Sequence, residues 1–554
     1  MSLGGAIERP RELRRLPRLP PWSAAAWSAA AVAVAFVLLT LWWLSQDRAV
    51  PSGDAAEELW AAFRFRDYAL HGDLGAIFDY PAYYPPYGLL LGGLASIVGG
   101  ISRNAVVIGV NLVCVPLLAL SCYRIGRLVA GARAGALAVV FALGSPLLIE
   151  QLHVFIVDAP EATLVAVSVW LILLSERFRR SGVAALAGLA VGIGVGTKEQ
   201  FAFYVAGLVA VVLARGGWRN LRGFATFAGI ALLVGTPWYI HNADALSRIY
   251  SASQTGAGLR FPVPPSARPP LLSLANAEWY GWATLNGLLF APLAAVAAIG
   301  VASAIWRLRR PSARGGVVQE LLGGLIGSWL LLTLVTHHDM RYTLPTVVYL
   351  AVLGTAWIAQ LARRPRTVAT AVLAAAVVAT TLGMTFGVGA AVPARPPGNL
   401  GAALGVGVPP RNRVVVYANH DYLVAGPRRA ADMLGFMRGL RRIGVRRIYW
   451  DPAVSGPEHE DFNGPGLSVL GRIAGLRVAD AIVPGAILPH YALLWYQPVP
   501  PGSRPCVRFE DGMGVWALLP GGRGAVPYCP GRGVVGPGGP VPSIAEGTGG
   551  TNLP

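Results

Sequence analysis

Four residues of this chain join a reactive side chain to a position beside an apolar segment: Asp54, Asp158, Lys198 and Arg341. Asp54 opens the run G-D-A-A-E-E-L-W, followed at helical spacing by Leu59, Phe63, Tyr68 and Leu70. A carboxylate at the start of such an interfacial helix can take the proton of a hydroxyl held within hydrogen-bond reach. The plain alternative is an N-cap on a solvated loop. Asp158 stands in H-V-F-I-V-D-A-P-E, where Asp with Pro160 just inside also fits an ordinary helix start. Lys198 is the single lysine among 46 cationic side chains and lies in G-V-G-T-K-E-Q. A compact ammonium there suits a phosphate as a point charge, or else it snorkels to the interface and pairs with Glu199. Arg341, in H-H-D-M-R-Y-T-L-P, has the planar fork that grips phosphate through two bonds, and Tyr342 beside it suits a sugar or an isoprenoid chain.

The stretch from Gly53 to Gly100 gathers Asp54, Glu57, Glu58, Asp67, Asp73 and Asp79 with Tyr83, Tyr84 and Tyr87 of Y-Y-P-P-Y-G-L-L-L. Charges are costly near hydrocarbon and are kept there for function. The tyrosines read as an aromatic belt or as a sugar-stacking surface. His337, His338 and Asp339 would allow a divalent cation, but neighbours along a helix point in different directions. No metal ligand set is assigned and no cofactor is firmly implied.

The elements that must position these groups are membrane helices. The chain has 554 residues, is 54% hydrophobic and only 13% charged. Apolar runs fall at 24–44, 104–123, 131–149, 158–175, 182–197, 199–214, 221–240, 283–305, 318–336, 343–361 and 367–390. Several approach the roughly 20 residues that cross a hydrocarbon core. The run from Tyr87 to Gly100 is too short to cross and reads as an interfacial or re-entrant helix. Arginine clusters decide the orientation. If Tyr87–Gly100 stays on one side, those at 124–133, 177–180, 215–222, 307–314 and 363–366 all join the basic N-terminus on the cytoplasmic face. This gives about eleven transmembrane helices in a bacterial-type cytoplasmic membrane, with the N-terminus inside and the C-terminus outside. Asp54, Asp158, Lys198 and Arg341 then share the outer face. The net charge of +18 is thereby explained without nucleic acid.

The chain divides into a basic cytoplasmic N-terminus (1–22), a membrane domain (23–392) with an outer loop at 46–103, a small extracytoplasmic α/β domain (393–520) and a Gly/Pro-rich tail (521–554) that reads as disordered. In the third part, Arg413–Tyr417, Arg446–Trp450 and Ala492–Gln497 read as strands and Arg428–Ile443 as an amphipathic helix. Cys506 and Cys529 are placed to form a disulfide if that part is outside the cell. No Walker loop, dinucleotide fingerprint or nucleophile elbow is present, which disfavours a soluble-nucleotide enzyme or an ATP-driven pump.

In their order and common face, Asp54, H-G-D-L, Y-Y-P-P-Y-G-L-L-L, S-P-L-L-I-E…D-A-P, G-V-G-T-K and R-Y-T-L-P resemble polytopic glycosyltransferases of the GT-C type. That group includes protein O-mannosyltransferases and aminoarabinose transferases. The resemblance covers residues 20–390. It implies a polyprenyl-phosphate sugar donor drawn from membrane lipid, a hydroxyl acceptor and an inverting transfer. Asp54 would be the base and Asp158 its support. Lys198 and Arg341 would stabilise the leaving phosphate, and Glu57, Tyr83, Tyr84, Glu199, His337 and Tyr342 would contact substrate. Relatives often carry Asp-Glu together at the loop's start; here two alanines separate Asp54 from Glu57, which could substitute as the base. The competing reading is a non-catalytic transporter or flippase of lipid-linked sugars, which would need polar groups near the bilayer midplane.

Overall fold

The computed structural model describes residues 23–47, 51, 53–79, 85–248, 271–308, 315–335, 338–386, 429–450, 464–479, 491–498, 505–508, 513–521, 524–529 and 533–534. Tyr83, Tyr84, His337 and the expected strand Arg413–Tyr417 lie outside them. The first part is a helical bundle: α1 (Ala24–Gln46), α2 (Gly53–His71), α3 (Leu74–Asp79), α4 (Pro86–Gly99), α5 (Arg103–Ala130), α6 (Ala132–Leu143), α7 (Pro146–His153), α8 (Asp158–Leu174), α9 (Ser181–Val195), α10 (Phe201–Ala214) and α11 (Leu221–Gly235). Further helices cover Leu274–Ala283, Phe290–Leu308, Gly315–Leu332, Val347–Gln360 and Arg363–Phe386. Among the described residues every expected apolar segment overlaps helix. The chain is a polytopic α-helical membrane protein.

Several of these helices are short. Among the described residues five are long and apolar enough to cross singly, or up to seven when each bent pair counts as one span. One bend is 61° between α6 and α7, and the other is 93° between α10 and the helix ending at Gly235. The helix α9 has 15 residues and α10 has 14. At 1.5 Å per residue they cover roughly 21–23 Å, short of the hydrocarbon thickness. The turn between them therefore sinks into the protein, and Lys198 with it.

Glycines let these elements approach closely. A Cβ at Gly207 of α10 would strike the Gly323 carbonyl and come within 2.8 Å of the Gly327 Cα, so α10 meets Gly315–Leu332 across a G-x-x-x-G face. A Cβ at Gly93 of α4 would lie 3.2 Å from the backbone of Ala62 and Arg66 in α2. The short helix α4 thus packs on α2.

Among the described residues the C-terminal part is a seven-stranded mixed sheet, with strands β1 (Arg447–Trp450), β2 (Arg477–Ala479), β3 (Tyr491–Pro498), β4 (Val507–Arg508), β5 (Met513–Gly521), β6 (Gly524–Cys529) and β7 (Gly533–Val534). The order is β2-β1-β3-β5-β6-β7 with β4 against β5. β1 runs parallel to β2 and β3, and the remaining pairs are antiparallel. The expected helix and two of the expected strands are present, at Arg429–Arg442, β1 and β3. The expected boundary at 520 is corrected: β6 and β7 carry the sheet to Val534 through Gly/Pro-rich sequence. Backbone pairing and the Cys506–Cys529 disulfide hold what few apolar side chains could.

Helix Gly464–Ala474 joins the two parts. Leu467, Leu470 and Ala474 face the sheet's core, while Val469 belongs to the membrane domain's core. Arg472 pairs with Asp67 of α2. The disulfide closes a loop of 23 residues, a size at which a cross-link contributes about 3 kcal/mol. Replacing Cys506 and Cys529 by Ser should therefore speed limited proteolysis of the sheet severalfold while leaving cleavage of the helical part unchanged. Equal proteolysis with and without the cross-link would count against this assignment.

Candidate active site

Asp54 lies in the first turn of α2, where it is 46% exposed. Its carboxylate accepts from the Arg341 guanidinium at 2.6 Å. Arg341 sits in a 3-10 turn, Met340–Thr346, that leads into helix Val347–Gln360. Asp339 caps this turn: its carboxylate accepts from the Arg341 backbone N–H at 2.9 Å and from Nε at 2.8 Å. Burial works against the charged form of Asp339, but the Arg341 guanidinium outweighs it and holds the carboxyl down at about 2. Asp339 is therefore a fixed anion that aims the guanidinium.

Arg341 Nη1 comes to 3.9 Å from Asp158 Oδ2. Asp158 is the first residue of α8, yet it does not serve as a helix cap. Its other oxygen accepts from Lys198 Nζ at 2.6 Å, and both residues are fully buried. Lys198 lies 3.8 Å from Glu161, one turn further along α8, and its ammonium stands 4.9 Å from the centre of the Tyr342 ring. The charges thus form a line, Asp54–Arg341–Asp158–Lys198–Glu161, running from partly exposed to fully enclosed.

Local sequence explains why the line holds. The Gly196 carbonyl accepts from the Tyr87 N–H at 2.9 Å, and a Cβ at Gly88 would fall 2.8 Å from Thr197 and 2.9 Å from Val157. The Tyr87-Gly88 pair therefore wedges between the Lys198 turn and the corner before Asp158. The Tyr342 carbonyl accepts from Tyr204 at 2.7 Å, tying the Arg341 turn to α10.

Asp54, Asp158, Lys198, Arg341 and Tyr342 are thus brought together. Glu199 is partly buried on the turn beside Lys198, within electrostatic reach of it. Glu57 is exposed, whereas Glu58, the next residue round the helix, is buried. The sequence offers Glu57 as the acid one helical turn from Asp54; Glu58 stands at i,i+4, and spacing alone does not separate the two. Glu161 and Asp339 were also missed as partners of the cations. His338 donates to or accepts from Asn276 and stacks on Trp279 at 4.3 Å, so packing occupies it. Among the described residues no three His, Cys, Asp or Glu side chains converge to hold a metal ion.

Far from these charges, α8 ends near a second cluster, where Arg177 and Arg215 lie 3.1 and 3.6 Å from Glu320. The 17 residues of α8 separate the two ends by roughly 25 Å. The arrangement can polarise a hydroxyl at Asp54 and receive an anion at Arg341, on one end of the bundle.

Residues 84–241 match the family model for dolichyl-phosphate-mannose-protein mannosyltransferase, a segment that includes Tyr87, Asp158 and Lys198. Among solved structures the chain is similar to ArnT from Cupriavidus metallidurans in the apo state, at 17% identity and a TM-score of 0.53 over 89% of this chain and 98% of that one. The same protein bound to undecaprenyl phosphate is similar at 16% identity and a TM-score of 0.53, covering 82% of this chain and 86% of that one. No curated protein sequence matches significantly. The chain has the fold of the polytopic GT-C-type glycosyltransferases and carries, over residues 84–241, the sequence pattern of the dolichyl-phosphate-mannose-protein mannosyltransferase family.

Proposed function

We propose that this protein is a membrane glycosyltransferase that moves a sugar from a polyprenyl-phosphate donor to a hydroxyl acceptor, with inversion at the anomeric carbon. The observation that carries the reading is the contact between a partly exposed carboxylate and a guanidinium, Asp54 to Arg341 at 2.6 Å. Asp54 accepts the acceptor's proton as the acceptor oxygen bonds to the anomeric carbon. The bond from that carbon to the phosphate oxygen breaks, and polyprenyl phosphate leaves with the electron pair. Arg341, 20% exposed, faces that growing charge. Asp158 shares Arg341 with Asp54 and keeps the guanidinium turned toward the base. Lys198, fully enclosed, acts through Asp158 by pairing with it and holding it in place. Tyr342 packs beside the same charges, its ring against the Lys198 ammonium. The ArnT structure similar to this chain was solved with undecaprenyl phosphate, which supports a lipid-phosphate donor here.

The disulfide supports an outward-facing site, because structural disulfides persist in oxidising compartments. The domain that carries it docks on α2 through Arg472 and Asp67, and α2 carries Asp54. Protease added to intact spheroplasts should therefore digest the C-terminal domain. Protection until the membrane is broken would contradict this placement.

Replacing Asp54 by Asn removes the base while keeping the shape of the side chain. Sugar transfer by purified protein should fall by about 100-fold or more, with thermal unfolding in detergent unchanged. Transfer at the wild-type rate would refute the assignment of the base.

A further inference from the structure

Glu58 is a buried acid with no part in the transfer chemistry set out above. It lies one turn along α2 from Asp54 and is 4% exposed. Its Oε2 accepts the backbone N–H of Val157 at 2.6 Å, a bond between residues 99 apart in the chain. Val157 immediately precedes Asp158. The other oxygen, Oε1, is buried without a hydrogen-bond partner among the described residues. Glu58 therefore ties the helix that carries Asp54 to the corner that presents Asp158.

This bond is a direct polar tie between α2 and the corner, beside the bridge that Arg341 makes from Asp54 to Asp158. Val157 is itself wedged against Gly88, and Phe155 fills the space that a side chain at Gly92 would need. These apolar contacts press α4 on the corner but give it no direction relative to α2. A hydrogen bond to one particular N–H does. Burial, reinforced by the negative charges of Asp158 and Asp54, raises the Glu58 carboxyl well above the usual carboxylate range. The neutral form of Glu58 is thereby favoured over the charged one.

We propose that Glu58 is a positioning residue: by gripping the Val157 N–H it fixes the separation of Asp54 and Asp158. The inference rests on the reading of Asp54 as the base. A misplacement of about 1 Å at a reacting group can cost on the order of 100-fold in rate, so this grip acts on turnover rather than on donor binding. The amide oxygen of Gln can accept the same N–H, whereas Ala cannot.

The test uses full-length protein with Glu58→Ala, Glu58→Gln and Asp54→Asn beside the wild type. Transfer is measured from undecaprenyl-phosphate mannose and undecaprenyl-phosphate arabinose to cell-envelope extract. Binding of undecaprenyl phosphate and hydrogen–deuterium exchange across residues 154–158 are measured on the same preparations. Glu58→Ala is expected to lower kcat by about 10- to 100-fold, with the donor KM within about threefold. It should also speed exchange of the Val157 amide, and Glu58→Gln should restore most of both. Unchanged exchange in Glu58→Ala overturns the proposal whether or not either sugar is turned over. A folded Glu58→Gln protein that matches the Ala variant also overturns it, since the proton and not the grip would then matter. If Glu58→Ala fails to fold, the Gln variant decides alone: slow amide exchange with near-normal kcat upholds the proposal, and fast exchange ends it. Wild-type activity in Asp54→Asn overturns the base assignment instead, and leaves the exchange result standing.

Discussion

The contact on which this architecture turns is the ion pair between Asp158 and Lys198, enclosed by the bundle at 2.6 Å. Removing two charges from water costs several kcal/mol each, and their attraction offsets this only when geometry and further partners are good. Here the partners are present. Arg341 flanks Asp158 from the outside and Glu161 flanks Lys198 from within. Deleting either member of the central pair would leave a charge stranded in a low-dielectric interior, where its neighbours could not relax to receive it. The outer members, Asp54 and Arg341, are then free to meet solvent and substrate because the inner pair holds the frame.

The frame is built from shortness and small residues. Helices α9 and α10 are shorter than a hydrocarbon core is thick, and the turn between them that carries Lys198 is buried in the bundle. Glycines at 88 and 196 let α4 press against that turn. Asp339, held as an anion by its own arginine, fixes the direction of Arg341 from the far side. Each device is local, yet together they bring α2, α8, the α9–α10 turn and the Met340–Thr346 turn to one place.

Much of this was legible in the sequence, for reasons that can be named. Apolar runs must be helices in lipid, since every backbone polar group has to be satisfied within its own segment. Arginine clusters on alternate loops then suggest which ends share a side, and so group Asp54, Asp158, Lys198 and Arg341. A lone lysine in an arginine-rich chain was informative because an enclosed ammonium is an expensive choice. What escaped was rotation and depth. One residue on a helix turns a side chain by about 100°, so Glu57 and Glu58 look alike in sequence but face opposite surroundings. Composition also placed a boundary at 520, although main-chain pairing extends the sheet to Val534.

The central claim is that Arg341 and Asp54 frame a site for a polyprenyl phosphate group. Native mass spectrometry of the purified protein titrated with undecaprenyl phosphate tests it most directly, with the wild type compared with Arg341→Gln. The expected result is one lipid phosphate bound per wild-type chain, and at least about a tenfold weaker complex without the guanidinium, the size of loss that follows when a charged hydrogen bond to phosphate is removed. Equal binding by both proteins would contradict the account.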